Sequence, residues 1–236
     1  MDELRRDLFS LIDKTPHLDW LLLTKRPENI RLMWPDRKKA VVAGGSPDAR
    51  PNVWLVYSAS DQETLDAGLP HLLACRELVP VLGLSLEPLV GPVDLGTAHT
   101  KACPHGGSGK HVCEAVDWVI VGGESRHRAR PCRVEWIRSV VTQCRDAGVP
   151  CFVKQLGSNV VTRNDRVDDQ FNSLDSGWPD PHVEHHIHGC LENYQGADCR
   201  IVLSDSKGGD PAEWPEDLRV RGTPHEAAAE AAGGES

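Results

Sequence analysis

The stretch DWVIVGGES, residues 117–125, runs apolar from Trp118 to Val121 and then stops on two glycines, a carboxylate and a hydroxyl. A short apolar run with a polar ending reads as a strand buried on both faces. Four other stretches share the pattern: LDWLLLTKRP (18–27), PNVWLVYSAS (51–60), VPVLGLSLEP (79–88) and VPCFVKQLG (149–157). Each opens near a proline, asparagine or aspartate and ends polar, as buried strands do.

Helix-period segments accompany these runs. DELRRDLFSLID places Leu4, Leu8, Leu11 and Ile12 on one face. ETLDAGLPHLLACREL aligns Leu65, Leu69, Leu72 and Leu73, with Pro70 expected to shorten or bend it. VEWIRSVVTQCRDAG aligns Val134, Ile137, Val140, Val141 and Cys144, and Gly148 ends it. Strand ends recur about every thirty residues, the length of a βα unit with its crossover. The expected fold is therefore α/β, a partial TIM-like (β/α) barrel of parallel strands over residues 1–222. Residues 97–115 interrupt the rhythm as an inserted loop, 159–196 read as an irregular segment, and 223–236 read as a disordered tail or a frayed helix. Trp214 is expected to pack onto the barrel and to lead into a closing segment at 218–220.

Right-handed crossovers place the C-terminal ends of parallel strands on one rim, where enzymes of this class build their sites. The rim candidates are Lys25, Arg26, Ser58, Glu87, Gly122, Gly123, Glu124, Ser125 and Lys154. Gly122 and Gly123 either admit a ligand close to the backbone or make a tight turn with Glu124 solvated. Glu87 is a candidate acid, base or ribose acceptor, or else the partner of Lys25 or Lys154 in an ion pair. Glu87 and Lys154 are the catalytic candidates; the others are candidates for cofactor binding.

Bulk composition narrows the function classes. The 236 residues carry 35 acidic and 26 basic side chains, a formal net charge of -9, which argues against nonspecific duplex binding. Arg126, Arg128, Arg130 and Arg133 form a local basic cluster, either a solvated loop or a phosphate site. The N-terminus has no apolar signal region and no run reaches membrane length, so a cytoplasmic protein with no membrane partner and eight reduced cysteines is expected. Those cysteines include no CxxC pair. Within the inserted loop, Cys103, His105, His111 and Cys113 are either zinc ligands or part of a flexible polar loop. HVEHHIHGC (182–190) adds His186 and His188 at alternating positions, a weaker metal pattern.

The motifs LLLTKRPENI, PNVWLVYSASDQET, SLEPLVGPVDL, DWVIVGGESRHRARP, GVPCFVKQLG and GGDPAEWPEDLRVR span Asp19 to Arg221. In that order and combination the chain resembles a family of phage and bacterial proteins of unknown function that looks like a radical S-adenosylmethionine enzyme. The resemblance implies a (β/α) partial barrel, S-adenosylmethionine and a [4Fe-4S] cluster held by an N-terminal cysteine triplet. The sequence begins just before the LLLTKRP strand, so the cysteine-bearing segment is expected to be missing and to act in cis or in trans. The resemblance further implies that Glu124, after two glycines, accepts from a methionine ammonium, and that Lys154 and Arg26 pair with a substrate carboxylate or phosphate. A nucleotide or nucleic-acid substrate is the implied partner. Three readings follow: a radical S-adenosylmethionine-like enzyme domain, incomplete and inactive alone; a noncatalytic nucleotide- or partner-binding module with a zinc-binding loop; or a nonfunctional gene fragment. If the first βα units are missing, strand 18–24 is left with an unpaired apolar edge that recruits other chains.

Overall fold

The computed structural model describes residues 2–35, 49–96, 116–163, 198–201 and 203–233. All five apolar runs form strands: β1 Trp20–Thr24, β2 Val53–Ala59, β3 Val81–Leu86, β4 Trp118–Gly122 and, after a two-residue strand β5 (Cys132–Arg133), β6 Cys151–Gln155. They pair as one parallel sheet in the order β1-β2-β3-β4-β6. Along this sheet the strands follow chain order, with β5 set aside in a second sheet. Among the described residues the sheet is open, with β1 and β6 as its two end strands, and no closed barrel forms.

Alternate residues decide the two faces. Leu55, Leu82, Leu84, Val119, Val121, Cys151 and Val153 belong to the main core, together with apolar residues from α1 (Asp2–Lys14), α3 (Gln62–Leu73) and α4 (Val134–Asp146). Helix α3 begins with a reciprocal cap between Asp61 and Thr64, runs through Pro70 and ends at Leu73, short of the periodic segment that continues to Leu78. After β1, a 3-10 turn Pro27–Asn29 passes into a single helical turn, α2 (Ile30–Met33). Gly68 in α3 lies against Tyr57, whose hydroxyl donates to the Thr64 carbonyl; a Cβ at residue 68 would meet the ring at 2.2 Å.

The opposite face carries an aromatic row covered by the C-terminal segment. Trp54 and Trp118 meet edge to face at 5.9 Å, Trp118 and Phe152 at 6.3 Å. His225 lies on Trp54, Arg221 stacks over Phe152, and the Trp118 indole donates to the Gly222 carbonyl at 2.9 Å. The same segment pairs antiparallel with the edge of β6: Val153 N–H donates to Val220, and Gly222 N–H to Cys151. At the other edge Leu18, Leu21 and Leu23 are exposed.

One boundary differs from the sequence expectation: Val160–Arg163 is not irregular but forms β7, which pairs with β5 and, antiparallel, with β8 (Asp198–Ile201). Of the two readings of the tail, the helical one describes Pro224–Gly233, which forms helix α5. Its start is set by Thr223 and Glu226, which exchange hydrogen bonds across the first turn, with Pro224 at the first helical position. His225 then pairs with Asp19 at 2.8 Å and ties α5 to the start of β1. The inserted loop 97–115, with Cys103, His105, His111 and Cys113, lies outside the described residues, as do His186 and His188.

Candidate functional site

The C-terminal ends of the five parallel strands converge on one rim, and the residues nearest its middle come from β2, β3, β4 and β6. Ser58 and Ser85 are register partners on the face opposite the helices. Glu87 stands two residues beyond Ser85 and on the same side. Its carbonyl accepts from Ser58 Oγ at 3.2 Å, and its Oε2 lies 3.4 Å from both Ser85 Oγ and Lys154 Nζ. The Glu87 side chain is only 15% exposed while Lys154 is 56% exposed, so the pair joins a buried carboxylate to a solvated ammonium. Glu87 Oε1 is buried and has no hydrogen-bond partner among the described residues.

Gly122 explains how a carboxylate fits there. A Cβ on residue 122 would lie 2.9 Å from Glu87 Oε1 and 2.9 Å from the Gln155 carbonyl. The space beside Gly123 is likewise taken by the chain itself, since a Cβ there would approach the Leu156 carbonyl to 2.1 Å. The two strands are locked at this point: Gly123 N–H donates to the Gln155 carbonyl, and the Gln155 side chain donates back to the Gly123 carbonyl. Both glycines therefore serve close approach, of Glu87 in one case and of the neighbouring backbone in the other.

Glu124 is 12% exposed, and both its oxygens are engaged. Oε1 pairs with Arg126 Nε at 3.2 Å; Oε2 accepts from Arg130 Nε at 2.8 Å and from the Arg130 amide at 3.2 Å. The hydrogen bonds from Arg130 hold its carboxyl below the usual carboxylate range. A methionine ammonium at Glu124 would have to compete with two guanidinium groups. Ser125 is half-buried beside it.

Lys25 and Arg26 follow β1, both exposed, and the Arg26 amide donates to Thr24 Oγ1. Four inter-strand spacings separate β1 from β6, roughly 19 Å. Lys25 thus stands across the rim from Lys154, and Lys154 is the partner of Glu87. The sequence reading passed over Ser85, although its spacing of two from Glu87 in SLEP is a same-face signal. It also did not connect Glu124 to Arg126 and Arg130. A shallow cavity of about 220 Å³ opens elsewhere, between β7, β8 and residues 203–206. It is smaller than most ligand sites.

The family model described as a protein of unknown function, DUF5131, matches residues 1–192. The chain belongs to this family. No curated protein and no solved structure matches it. No helix among the described residues is long and apolar enough to cross a membrane.

An iron-sulfur cluster does not fit the described residues of this family member. Cys75, Cys132, Cys144 and Cys151 are all buried in the core on the helix side of the sheet, and no three His, Cys, Asp or Glu side chains among the described residues are grouped to hold a metal. Cluster ligands must be thiolates, whereas burial pushes the Cys132 thiol up to about 12 and the Cys75 thiol to about 11. Two outcomes follow. In the folded protein at pH 8, Cys132 is expected to resist iodoacetamide while the urea-unfolded chain is alkylated there, read by peptide mass spectrometry. Because the folded thiol holds its proton above the ordinary value of 9.0, the folded state binds more protons than the unfolded one in that window. Stability from this group is then complete below pH 9 and is lost as pH rises toward about 12. Rapid alkylation of folded Cys132 at pH 8 would contradict both.

Proposed function

We propose that the rim is the ligand site of a (β/α) enzyme of the radical S-adenosylmethionine type, and that Glu87 and Lys154 receive a nucleoside bearing an amino-acid end. The observation that carries this reading is Glu87 Oε1, a carboxylate oxygen buried at the C-terminal end of a parallel sheet with no donor among the described residues. Leaving such an acceptor unmade costs about 1–3 kcal/mol, and exceptions of this kind concentrate where a ligand completes the set. A ribose hydroxyl or an ammonium supplies the missing donor, and Lys154 Nζ offers a mobile cation to a carboxylate. S-adenosylmethionine, the ligand implied by the resemblance, carries all three groups. The consecutive strand order supports the enzyme class, since a singly wound sheet gathers its strand ends on one side.

In this reading Glu87 anchors the ligand and sets its orientation, Lys154 pairs with its anionic end, and Ser58 and Ser85 hold the Glu87 backbone and carboxylate in place. A cluster, which would supply the radical chemistry when bound, would need thiolates other than those of the described residues.

Isothermal titration of the full chain with S-adenosylmethionine, adenosine and methionine tests this. S-adenosylmethionine is expected to bind, with Glu87→Gln weakening it at least about 10-fold and Lys154→Met by a smaller factor. Absence of binding by all three ligands, or equal affinity of the parent and Glu87→Gln, would remove the reading.

A further inference from the structure

The loop between β4 and β5 carries Arg126, Arg128 and Arg130, and Glu124 is the only acid within residues 123–131. Such a loop in a chain of net charge -9 invites the reading of a solvated surface turn, but it is braced throughout. Asn159 Nδ2 donates to the Ala129 carbonyl at 3.0 Å, and the Ser158 amide donates to the Glu124 carbonyl at 2.8 Å. Arg128 adopts a left-handed backbone, φ 61°, which fixes the turn between the two flanking arginines.

The contacts of Glu124 give the arginines a direction. Each meets the half-buried carboxylate through Nε, and none of the terminal guanidinium nitrogens of Arg126 or Arg130 has a hydrogen bond among the described residues. Both side chains are more than half exposed, at 76% and 55%. One carboxylate between two guanidiniums leaves a unit of net charge +1, with the solvated Arg128 beside it. The nearby Asp61 carboxylate is occupied by the Thr64 amide and hydroxyl, whose hydrogen bonds, with a smaller contribution from the Arg130 charge, hold it below its ordinary value.

We infer that Arg126 and Arg130, held by Glu124, form a clamp for a phosphate group at the rim. A phosphate brings about -1.5 to -2 charge at neutral pH and several acceptor oxygens, which suits forked donors held in place beforehand. Glu124 acts here as a positioning residue: it neutralises the repulsion between the two guanidiniums and turns their outer nitrogens to solvent. The inference goes beyond the proposed S-adenosylmethionine reading, because that molecule has no phosphate. The clamp would hold a second, phosphate-bearing ligand, either a mononucleotide or a nucleic-acid strand.

The test uses the full chain at low salt with inorganic phosphate, AMP and a fluorescein-labelled single-stranded oligonucleotide of about twelve nucleotides. Inorganic phosphate and AMP are expected to bind, and Arg126→Met/Arg130→Met to weaken both at least about 10-fold in a chain that still unfolds cooperatively on heating. Glu124→Gln is expected to weaken phosphate by a smaller factor, and Glu124→Asp, which keeps the charge, to restore part of it. For the oligonucleotide, the slope of log affinity against log salt should fall by about 0.7 in the double variant, the loss of one phosphate contact on a single strand. Tighter binding of the oligonucleotide than of AMP assigns the phosphate to a strand; the reverse assigns it to a mononucleotide. No binding of any phosphate-bearing probe, or equal binding by the parent and the double variant, would overturn the clamp. Loss of S-adenosylmethionine binding in Glu87→Gln bears only on the other reading, so the two can fail separately.

Discussion

Trp214→Ala is expected to lower the unfolding free energy by about 3–5 kcal/mol, the cost of emptying a large buried aromatic site. Trp214 is fully buried, its indole donates to the Gly208 carbonyl at 3.1 Å, and Arg221 stacks over its ring. Arg219 in turn donates to the Trp214 carbonyl. Truncation therefore loosens the whole segment that leads to Val220 and Gly222, the residues that pair with the edge of β6. Such an edge, once bare, pairs with other chains. Urea unfolding should show the loss in midpoint, and light scattering should show association that the parent lacks. An unfolding free energy within about 1 kcal/mol of the parent would mean that the segment does not depend on this anchor.

Gly123→Ala is the second large effect, expected to cost about 3 kcal/mol. Its Cβ would lie 2.1 Å from the Leu156 carbonyl oxygen and 2.8 Å from the carbon, both main-chain atoms. The hydrogen bonds between residues 123 and 155 hold the two strands together at the point of the clash, so relief requires both to move. Gly91→Ala provides the control, since the nearest heavy atom to its Cβ would be Asp61 Cβ at an ordinary 3.6 Å. Equal unfolding free energies for the two variants would show that the β4 and β6 ends give way easily. If Gly123→Ala instead unfolds near the control yet loses ligand binding, the rim and not the scaffold is what the glycine protects.

The two effects also show where local pattern stops informing. Apolar runs of five or so residues, alternating with helix-period segments, were enough to determine five parallel strands in chain order and the helices that cover them. Burial on both faces leaves a continuous apolar signature, and a short crossover lets the chain return only in the same direction. The start of α5 was equally legible in T-P-H-E, a capping pattern at 223–226 that the alanine-rich composition after it obscured. The rim candidates followed from the polar strand endings alone.

Which of those candidates meet was a matter for the tertiary structure. Glu87 and Lys154 are 67 residues apart in sequence, and whether Lys154 or Lys25 faces Glu87 depends on the order of strands between them. Gly122 and Gly123 read as openings for a ligand, but the neighbouring strand fills one and Glu87 the other. Glu124 looked free to receive a cation until the left-handed turn at Arg128 returned Arg130 to it. The openness of the sheet, too, depends on what lies at its edges, and at β6 that is Val220 to Gly222, drawn in by Trp214. A sequence records which side of a strand each residue faces, because that is a local alternation of period two. The partner across a strand, the atom beside a missing Cβ and the fate of an edge are set by backbone brought from distant positions, where no local pattern reaches.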